Sequence, residues 1–256
     1  MTVCILGNSL TALTLAKTLV NYEIDVDIIF KKKNYKINDT RTIGISKNNV
    51  DFFNTNIINI KKLIWNIKTI EIFSENLKKE KIINFKADND QLFSIIKNHE
   101  LHQLLYKELS KSKFVRLKFP IEKNLSYLNK YELAINCDPF NFITKSYFSK
   151  KISKEYNSTA YTSIISHDKI TNDTAVQIFT KKGPLAFLPI SDKKTSVVYS
   201  VHNSNNSEVE NIKELIKDKN FKYKIRDLEK INSFELKSFN LRSYYHKNIL
   251  AFGDLL

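Results

Sequence analysis

The sequence predicts an α/β chain: a Rossmann-like nucleotide-binding domain of parallel strands, interrupted by a β-rich domain of mixed or antiparallel sheet. Three observations carry that prediction. An apolar strand, a glycine turn, an amphipathic helix and a second apolar strand follow one another within about thirty residues, the βαβ unit that opens dinucleotide-binding folds. After about residue 155, four strand-like runs come at the short spacing of an antiparallel sheet. On either side of that crowd, ELAINC and NILAF have the unbroken hydrophobicity of central parallel strands.

Taken in order, Thr2 to Gly7 (TVCILG) is rich in β-branched residues and ends at a glycine, as a buried strand does. From Ser9 to Asn21, Leu10, Leu13, Leu15, Ala16, Leu19 and Val20 recur at helical spacing. Asp25 to Phe30 is the second strand. Residues 31–65 read as loop with short helices, and Arg41 lies in the polar stretch NDTRTIG. Ile67 to Phe73 and Lys81 to Phe85 read as strands. Asn98 to Ser110 reads as a helix with Leu101, Leu104, Leu105 and Leu109 on one side, and Phe114 to Phe119 alternates as a strand. Thr159 to Ser166, Ala175 to Thr180, Leu185 to Ile190 and Thr195 to Val201 form the β-rich run, followed by an amphipathic helix at Val209 to Lys217. The expected division is a discontinuous nucleotide-binding domain of residues 1–65, 98–154 and 245–256, incomplete at its C-terminal end, and a β-sheet domain of residues 66–97 and 155–244.

The net charge of +14 raises the question of nucleic acid. Of 41 basic residues only Arg41, Arg116, Arg226 and Arg242 carry the bidentate fork that phosphate and base-edge recognition favours. The lysines stand in short scattered groups and form no stripe, so a nucleic-acid partner is not expected. Attraction to an anionic membrane surface, where dispersed lysines add up, fits better. No apolar run is long enough to span a bilayer, and Met1 to Leu19 has no signal-peptide pattern. Cys4 and Cys137 provide neither a disulfide framework nor metal-ligand spacing. The expectation is a cytoplasmic protein of a reducing compartment, peripheral at the inner membrane face if it meets a membrane at all.

The turn Gly7-Asn8-Ser9-Leu10-Thr11-Ala12 meets the spatial needs of a pyrophosphate site. Gly7 suits the tight turn, Ser9 is small where backbone must approach the phosphates, and Ala12 permits close packing of helix on strand. Backbone amides at the helix start would face the anion. An ordinary strand–helix turn has the same local pattern. The acidic residue expected to hold ribose at the end of the second strand is absent: Phe30 and then Lys31 stand there, and Asp27 comes too early. With only four glycines in the chain, Gly7, Gly183 and Gly253 fall at predicted turns and Gly44 has no evident reason. His99 and His102 are three apart on a helix, but nothing completes a metal set, so both are expected on the helix surface and no metal is expected.

Four further segments bear on family. Phe179 to Pro189 reads FTKKGPLAFLP, Asp39-Thr40-Arg41 is followed by Ile45-Ser46, Asn98 to Leu105 reads NHELHQLL, and Ala251-Phe252-Gly253-Asp254 follows the last apolar strand. In this order they resemble F-x-x-x-G-P-x-A-x-L-P, D-x-R-x-x-A-L-S, E-N-x-x-L-x-x-x-L and the start of G-D-A-A-H in the ubiquinone-biosynthesis flavin hydroxylases. Those enzymes are relatives of para-hydroxybenzoate hydroxylase. The resemblance implies FAD as cofactor, with Gly7, Ser9, Ala12, Arg41, Asp138, Gly253 and Asp254 around it. It implies NAD(P)H as reductant and hydroxylation of an aromatic ring, a ubiquinone precursor bearing a prenyl tail in the fullest form. It also implies a substrate cavity along Gly183, Pro184, Leu185, Ala186 and Pro189, and association with a membrane or a biosynthetic complex. No side-chain nucleophile or base is required, because the cofactor carries the chemistry, and no catalytic residue is singled out. The family's A-D-G-x-x-S-x-x-R motif departs here to Cys137-Asp138-Pro139-Phe140-Asn141-Phe142-Ile143-Thr144-Lys145. Pro139 replaces a glycine able to take positive φ, and Lys145 replaces an arginine fork. Ending at Leu256, the chain is expected to be C-terminally truncated relative to that family, whether as a fragment or as a degenerate binding or accessory module without turnover.

Overall fold

The computed structural model describes residues 1–30, 39–75, 80–87, 91–119, 125–202, 212–253 and 255. In chain order, β1 (Thr2–Leu6) leads through α1 (Leu10–Asn21) into β2 (Asp25–Ile29). β3 (Thr42–Ser46) and α2 (Lys47–Phe52) follow, and α2 runs on into a π-helical turn at Phe53–Ile57. β4 (Ile64–Ile67), β5 (Thr69–Ser74), β6 (Lys81–Lys86) and β7 (Phe93–Lys97) precede α3 (Asn98–Ser110), β8 (Val115–Lys118) and a 3-10 segment at Leu125–Lys130. Next come β9 (Leu133–Asn136), α4 (Phe142–Tyr147) and the long β10 (Lys151–His167). β11 (Thr174–Thr180), β12 (Gly183–Ser191), β13 (Lys194–His202), α5 (Ile212–Lys219), β14 (Ile225–Leu228) and β15 (Asn232–Leu241) complete the β-rich part, and β16 (Tyr245–His246) and β17 (Ile249–Ala251) follow it.

Three sheets result. The six-stranded sheet has the order β16-β17-β9-β1-β2-β8, parallel throughout except for the β16 edge. Its central strands are apolar on both faces because both are covered. Val3, Ile5, Val26 and Ile28 pack on α1 and α3, while Cys4, Leu6, Ala134 and Ile249 pack on Leu128, Tyr131, Ile143 and Phe148. The eight-stranded sheet runs β14-β10-β13-β12-β11-β5-β6, with β15 also on β10, and only β5 against β11 is parallel. Phe73, Leu185, Phe187 and Tyr199 on one face meet Ile212 and Ile216 of α5. Ile164, Ala175, Leu188 and Ile190 on the other meet Ile67, Ile95 and Trp65 of the antiparallel three-stranded sheet β3-β7-β4. That small sheet joins the two larger layers, since its Ile45 and Ile96 belong to the core around α1 and α3.

Several elements differ from expectation. Residues 31–65 hold strands β3 and the start of β4 besides helix, β7 is a further unexpected strand, and residues 31–38 lie outside the described residues. β10 begins at Lys151, eight residues before the apolar run, because β15 pairs with its polar first half. The expected start of the last helix lies outside the described residues, and α5 begins at Ile212.

Asp27 is a buried charge in the six-stranded sheet, 2% exposed. Arg116 Nε donates to it at 2.6 Å, and Lys118 Nζ and the Tyr131 hydroxyl donate to its other oxygen. Burial alone would raise its pKa, but the hydrogen bonds from Lys118, Tyr131 and Arg116 together outweigh burial and hold it below the ordinary 3.8. The neighbouring Cys4 thiol is pushed up to about 12, chiefly by burial, and stays protonated and unreactive. A depressed carboxylate contributes stability that is complete above its unfolded pKa and lost as pH falls through the folded value. Asp27→Asn should therefore lower stability at pH 7 by about 1–3 kcal/mol and flatten the loss of stability below about pH 4. Urea midpoints of the two proteins at pH 7 and pH 3 check both, and equal midpoints at pH 7 would refute the role given to Asp27.

Candidate functional site

The registers of the central strands set the site. Leu6 is level with Ile29 and with Asn136, and Asn136 is level with Ala251. The chain therefore leaves β1, β9 and β17 at one height, where Gly7, Asp138 and Gly253 follow within one or two residues. Connections from β1 and β9 depart on opposite sides, α1 toward β2 and α4 toward the far edge. Such a reversal of strand order opens a crevice at the carboxyl ends of the strands, the usual ligand position in open α/β sheets.

Gly7 takes φ +114°, and an added Cβ would touch the Asp138 side chain and backbone at 3.4 Å. Ser9 is the N-cap of α1, and its Oγ accepts from the Ala12 amide at 3.3 Å. Ala12 is fully buried against the sheet, so the close helix–strand contact expected of it is present. The Leu10 and Thr11 amides stand at the open end of the helix, where partial positive charge favours an anion. Gly253 takes φ +72° and crosses that first helical turn so closely that a Cβ would lie 2.6 Å from Thr11 Cγ2. Asp254 lies outside the described residues.

The Asp138 turn is held from beneath by the buried Asn136 and the half-buried Asn141 and Thr144. Asn136 Nδ2 donates to Thr144 Oγ1 at 2.8 Å, Asn141 Nδ2 donates to Asn136 Oδ1 at 2.6 Å, and Thr144 Oγ1 donates to the Asp138 carbonyl at 2.7 Å. Asp138 Oδ1 accepts from the Phe140 amide at 2.8 Å, closing an Asx turn over Pro139. Proline is thus accommodated by a side-chain turn where the family's glycine would use positive φ.

His102 is not the surface residue expected. It is buried, and its Nε2 donates to the Asn8 carbonyl at 2.8 Å, which fixes the protonated ring nitrogen and braces the Gly7 turn. Burial lowers its pKa, partly offset by the bond to Asn8. The signal lay in the helix register: Leu101, Leu105 and Leu109 define the buried side, and His102 borders it. One turn earlier the Asn98 amide donates to the Arg41 carbonyl at 3.0 Å, so α3 ties the Arg41 segment to the Gly7–Ala12 turn. Thr40 anchors that segment to the large sheet through Thr162 at 3.0 Å and Asn232 at 3.1 Å. The Arg41 guanidinium lies 5.2 Å from the centre of the Phe234 ring.

At the β2 end, where an acid would hold ribose, Phe30 is buried edge-on to Phe119 at 5.2 Å and to Tyr106 at 6.5 Å between ring centres. An apolar cleft of about 560 Å³ runs from Leu10 and Thr11 along α1, floored by Gly44 and Ile45 of β3 and walled by Phe52, Phe53 and Phe252. A Cβ on Gly44 would meet only ordinary contacts at 3.5 Å, so nothing in its surroundings demands glycine. The segment expected along a substrate cavity is strand β12. Gly183 takes φ +135° with the Ser200 carbonyl 2.0 Å from any Cβ, Pro184 is exposed, and Ala186 is half-buried. Leu185 is fully buried in a cluster with Phe187 and Tyr199, and Pro189 is buried at a β-bulge. None of the five lines the cleft beside α1.

The residues at the crevice fit a dinucleotide's pyrophosphate: a glycine-opened turn, small Ser9 and Ala12, and amides at a helix start. They do not provide the usual ribose carboxylate. The architecture is a parallel layer with such a turn, joined to a large mixed sheet. The chain has 10% identity and a TM-score of 0.76 to the p-nitrophenol 4-monooxygenase PnpA from Pseudomonas putida, over 99% of this chain and 73% of that one. It is similar to PqsL, a probable FAD-dependent monooxygenase from Pseudomonas aeruginosa, at 10% identity and TM-score 0.74, over 100% and 79% of the two chains. For 2-methyl-3-hydroxypyridine-5-carboxylic acid oxygenase the values are 12% and 0.75, over 99% and 75%. At these identities the likeness is one of fold. No family model and no curated protein matches the sequence.

His102→Leu should cost about 1–3 kcal/mol, because it leaves the Asn8 carbonyl without its donor. Gly253→Ala should cost a similar amount from positive φ and the Thr11 contact. The double change Gly253→Ala with Thr11→Ser should recover part of that loss. Thermal denaturation of the single and double variants measures all three, and strict additivity of the last pair would contradict the packing described.

Proposed function

We propose that the chain is a flavoprotein of the aromatic-ring hydroxylase type, binding FAD with its pyrophosphate on the Gly7–Ala12 turn. The single observation that supports it most is the convergence of Gly7, Asp138 and Gly253 at one height beside the α1 N-terminus. When bound, FAD reduced by NAD(P)H supplies the redox chemistry with oxygen that places a hydroxyl on an electron-rich ring. The protein's part is binding, orientation and exclusion of water. Gly7 and Ser9 let the phosphates approach, Asn136 and Thr144 hold the Asp138 turn, and His102 fixes the Asn8 carbonyl. The substrate class we assign is a phenol of the ubiquinone-precursor kind, on the strength of the GPLAFLP segment and the aromatic compounds named for the neighbours in fold.

A second reading, a flavoprotein-fold binding module without turnover, is favoured by Phe30 in the ribose position and by Pro139, Phe142 and Lys145 in the nicotinamide-side motif. The two readings separate on one preparation. Titration with FAD should give saturable quenching of flavin fluorescence and a raised melting temperature, and Gly7→Val should abolish both while the protein stays folded. Added NADH or NADPH should then bleach the flavin absorbance of an enzyme and leave that of a bare binder unchanged. A folded protein that takes up no FAD would overturn both readings.

A further inference from the structure

One end of the molecule combines exposed aromatic side chains with unopposed positive charge. It is built from the Phe140–Tyr147 segment, the first residues of β10 and the β15–β16 connection. Phe140 is 81% exposed and Tyr245 71%, and Phe142, Tyr147, Ile152 and Tyr244 are also exposed. The segments are held together directly. Tyr147 stacks on His246 at 4.1 Å between ring centres, the Arg242 amide donates to the Lys150 carbonyl at 3.0 Å, and Ile152 is paired with Asn240.

The charge in these segments has one sign. Between Phe140 and Lys154 the basic residues are Lys145, Lys150, Lys151 and Lys154, and between Asn240 and Gly253 they are Arg242 and Lys247. Neither stretch contains an aspartate or glutamate; Asp138, Glu155 and Asp254 lie just outside them. Some lysines elsewhere are paired, as in Lys81 with Glu71 and Lys194 with Glu229.

From this juxtaposition we infer that the α4–β16 end docks on an anionic lipid bilayer, its aromatic rings entering the headgroup boundary and its lysines meeting lipid phosphates. Aromatic side chains prefer that interface. Each basic residue near an anionic leaflet adds attraction, and the combination of apolar and basic groups binds more firmly than either alone. Nucleic acid is the weaker match, because large apolar side chains dominate the surface and Arg242 is its only guanidinium. The docking stands independently of the flavin assignment. It also has a geometric consequence for that assignment: Phe140 is bonded through its amide to Asp138, so the lipid-facing surface begins at the rim of the crevice.

The test is co-sedimentation of the whole protein with vesicles of phosphatidylcholine alone and with about a third phosphatidylglycerol, at about 0.15 M salt. Binding is expected only to the anionic vesicles. Lys145→Glu and Lys151→Glu should each weaken it by about fivefold. The triple variant Phe140→Ser, Phe142→Ser, Tyr245→Ser should weaken it by about tenfold or more, with an unchanged melting temperature because all three side chains are exposed. Reversal of the distant exposed pair Lys61→Glu and Lys62→Glu should leave binding unchanged. The inference fails if no vesicle is bound, if the distant reversal weakens binding as much as the local ones, or if the same substitutions instead abolish tighter binding to an oligonucleotide.

Discussion

β1 is hydrogen-bonded along both edges and buried on both faces, and the candidate site depends on that confinement. A strand in this position cannot slip by one residue, because every side chain would exchange layers: Val3 and Ile5 would leave the α1 face and Cys4 would enter it. The height at which Gly7 begins is therefore fixed by the core, and β2 and β9 inherit it through their registers. Asp138 and Gly253 reach the same crevice for the same reason. The geometry that a pyrophosphate requires follows from hydrophobic packing some distance beneath it.

Much of this was legible in the residues. The βαβ opening, the central strands ELAIN and NILAF and the β-rich run after residue 155 have continuous or alternating apolar patterns that local physics reads directly. The glycine turns were legible because a chain with four glycines keeps three of them at positive φ. What escaped depended on distant partners. β3 (TIGIS) and β15 (NSFELKSFNL) have too little apolar contrast to declare themselves, and each becomes a strand because a neighbour, β7 or β10, offers a ladder. His102 escaped because its helix side is set by contact with Asn8, ninety-four positions away in sequence. The face that Leu185 takes is decided by the pairing of β12 with both β11 and β13, which no local pattern shows.

The excess of positive charge is distributed unevenly in its consequences. Inside the parallel layer, Arg116 and Lys118 are committed to Asp27, where they make a buried carboxylate tolerable. On the large sheet, Arg226 holds Asp168 through two hydrogen bonds and Lys219 bridges to Glu75. These pairs consume cations locally. The Phe140–Lys154 and Asn240–Gly253 stretches hold no carboxylate of their own, so a composition that seems diffuse along the chain becomes directional in space.

β10 is seventeen residues long, roughly 55 Å if fully extended. It starts four residues after α4 closes, pairs first with β15 and then with β13 and β14, and ends deep in the large sheet. Its ladder with β15 is interrupted by a bulge at Tyr156 and Asn157, where Asn157 takes φ +46°, and the paired stretches on either side are the stiff parts. Only Phe148–Lys150 lack regular structure between α4 and β10, so the connection from the layer carrying Asp138 to the sheet carrying Thr162 is short. Rotation of one layer against the other would concentrate its bending at those three residues or at the bulge, and the paired stretches between would move as units.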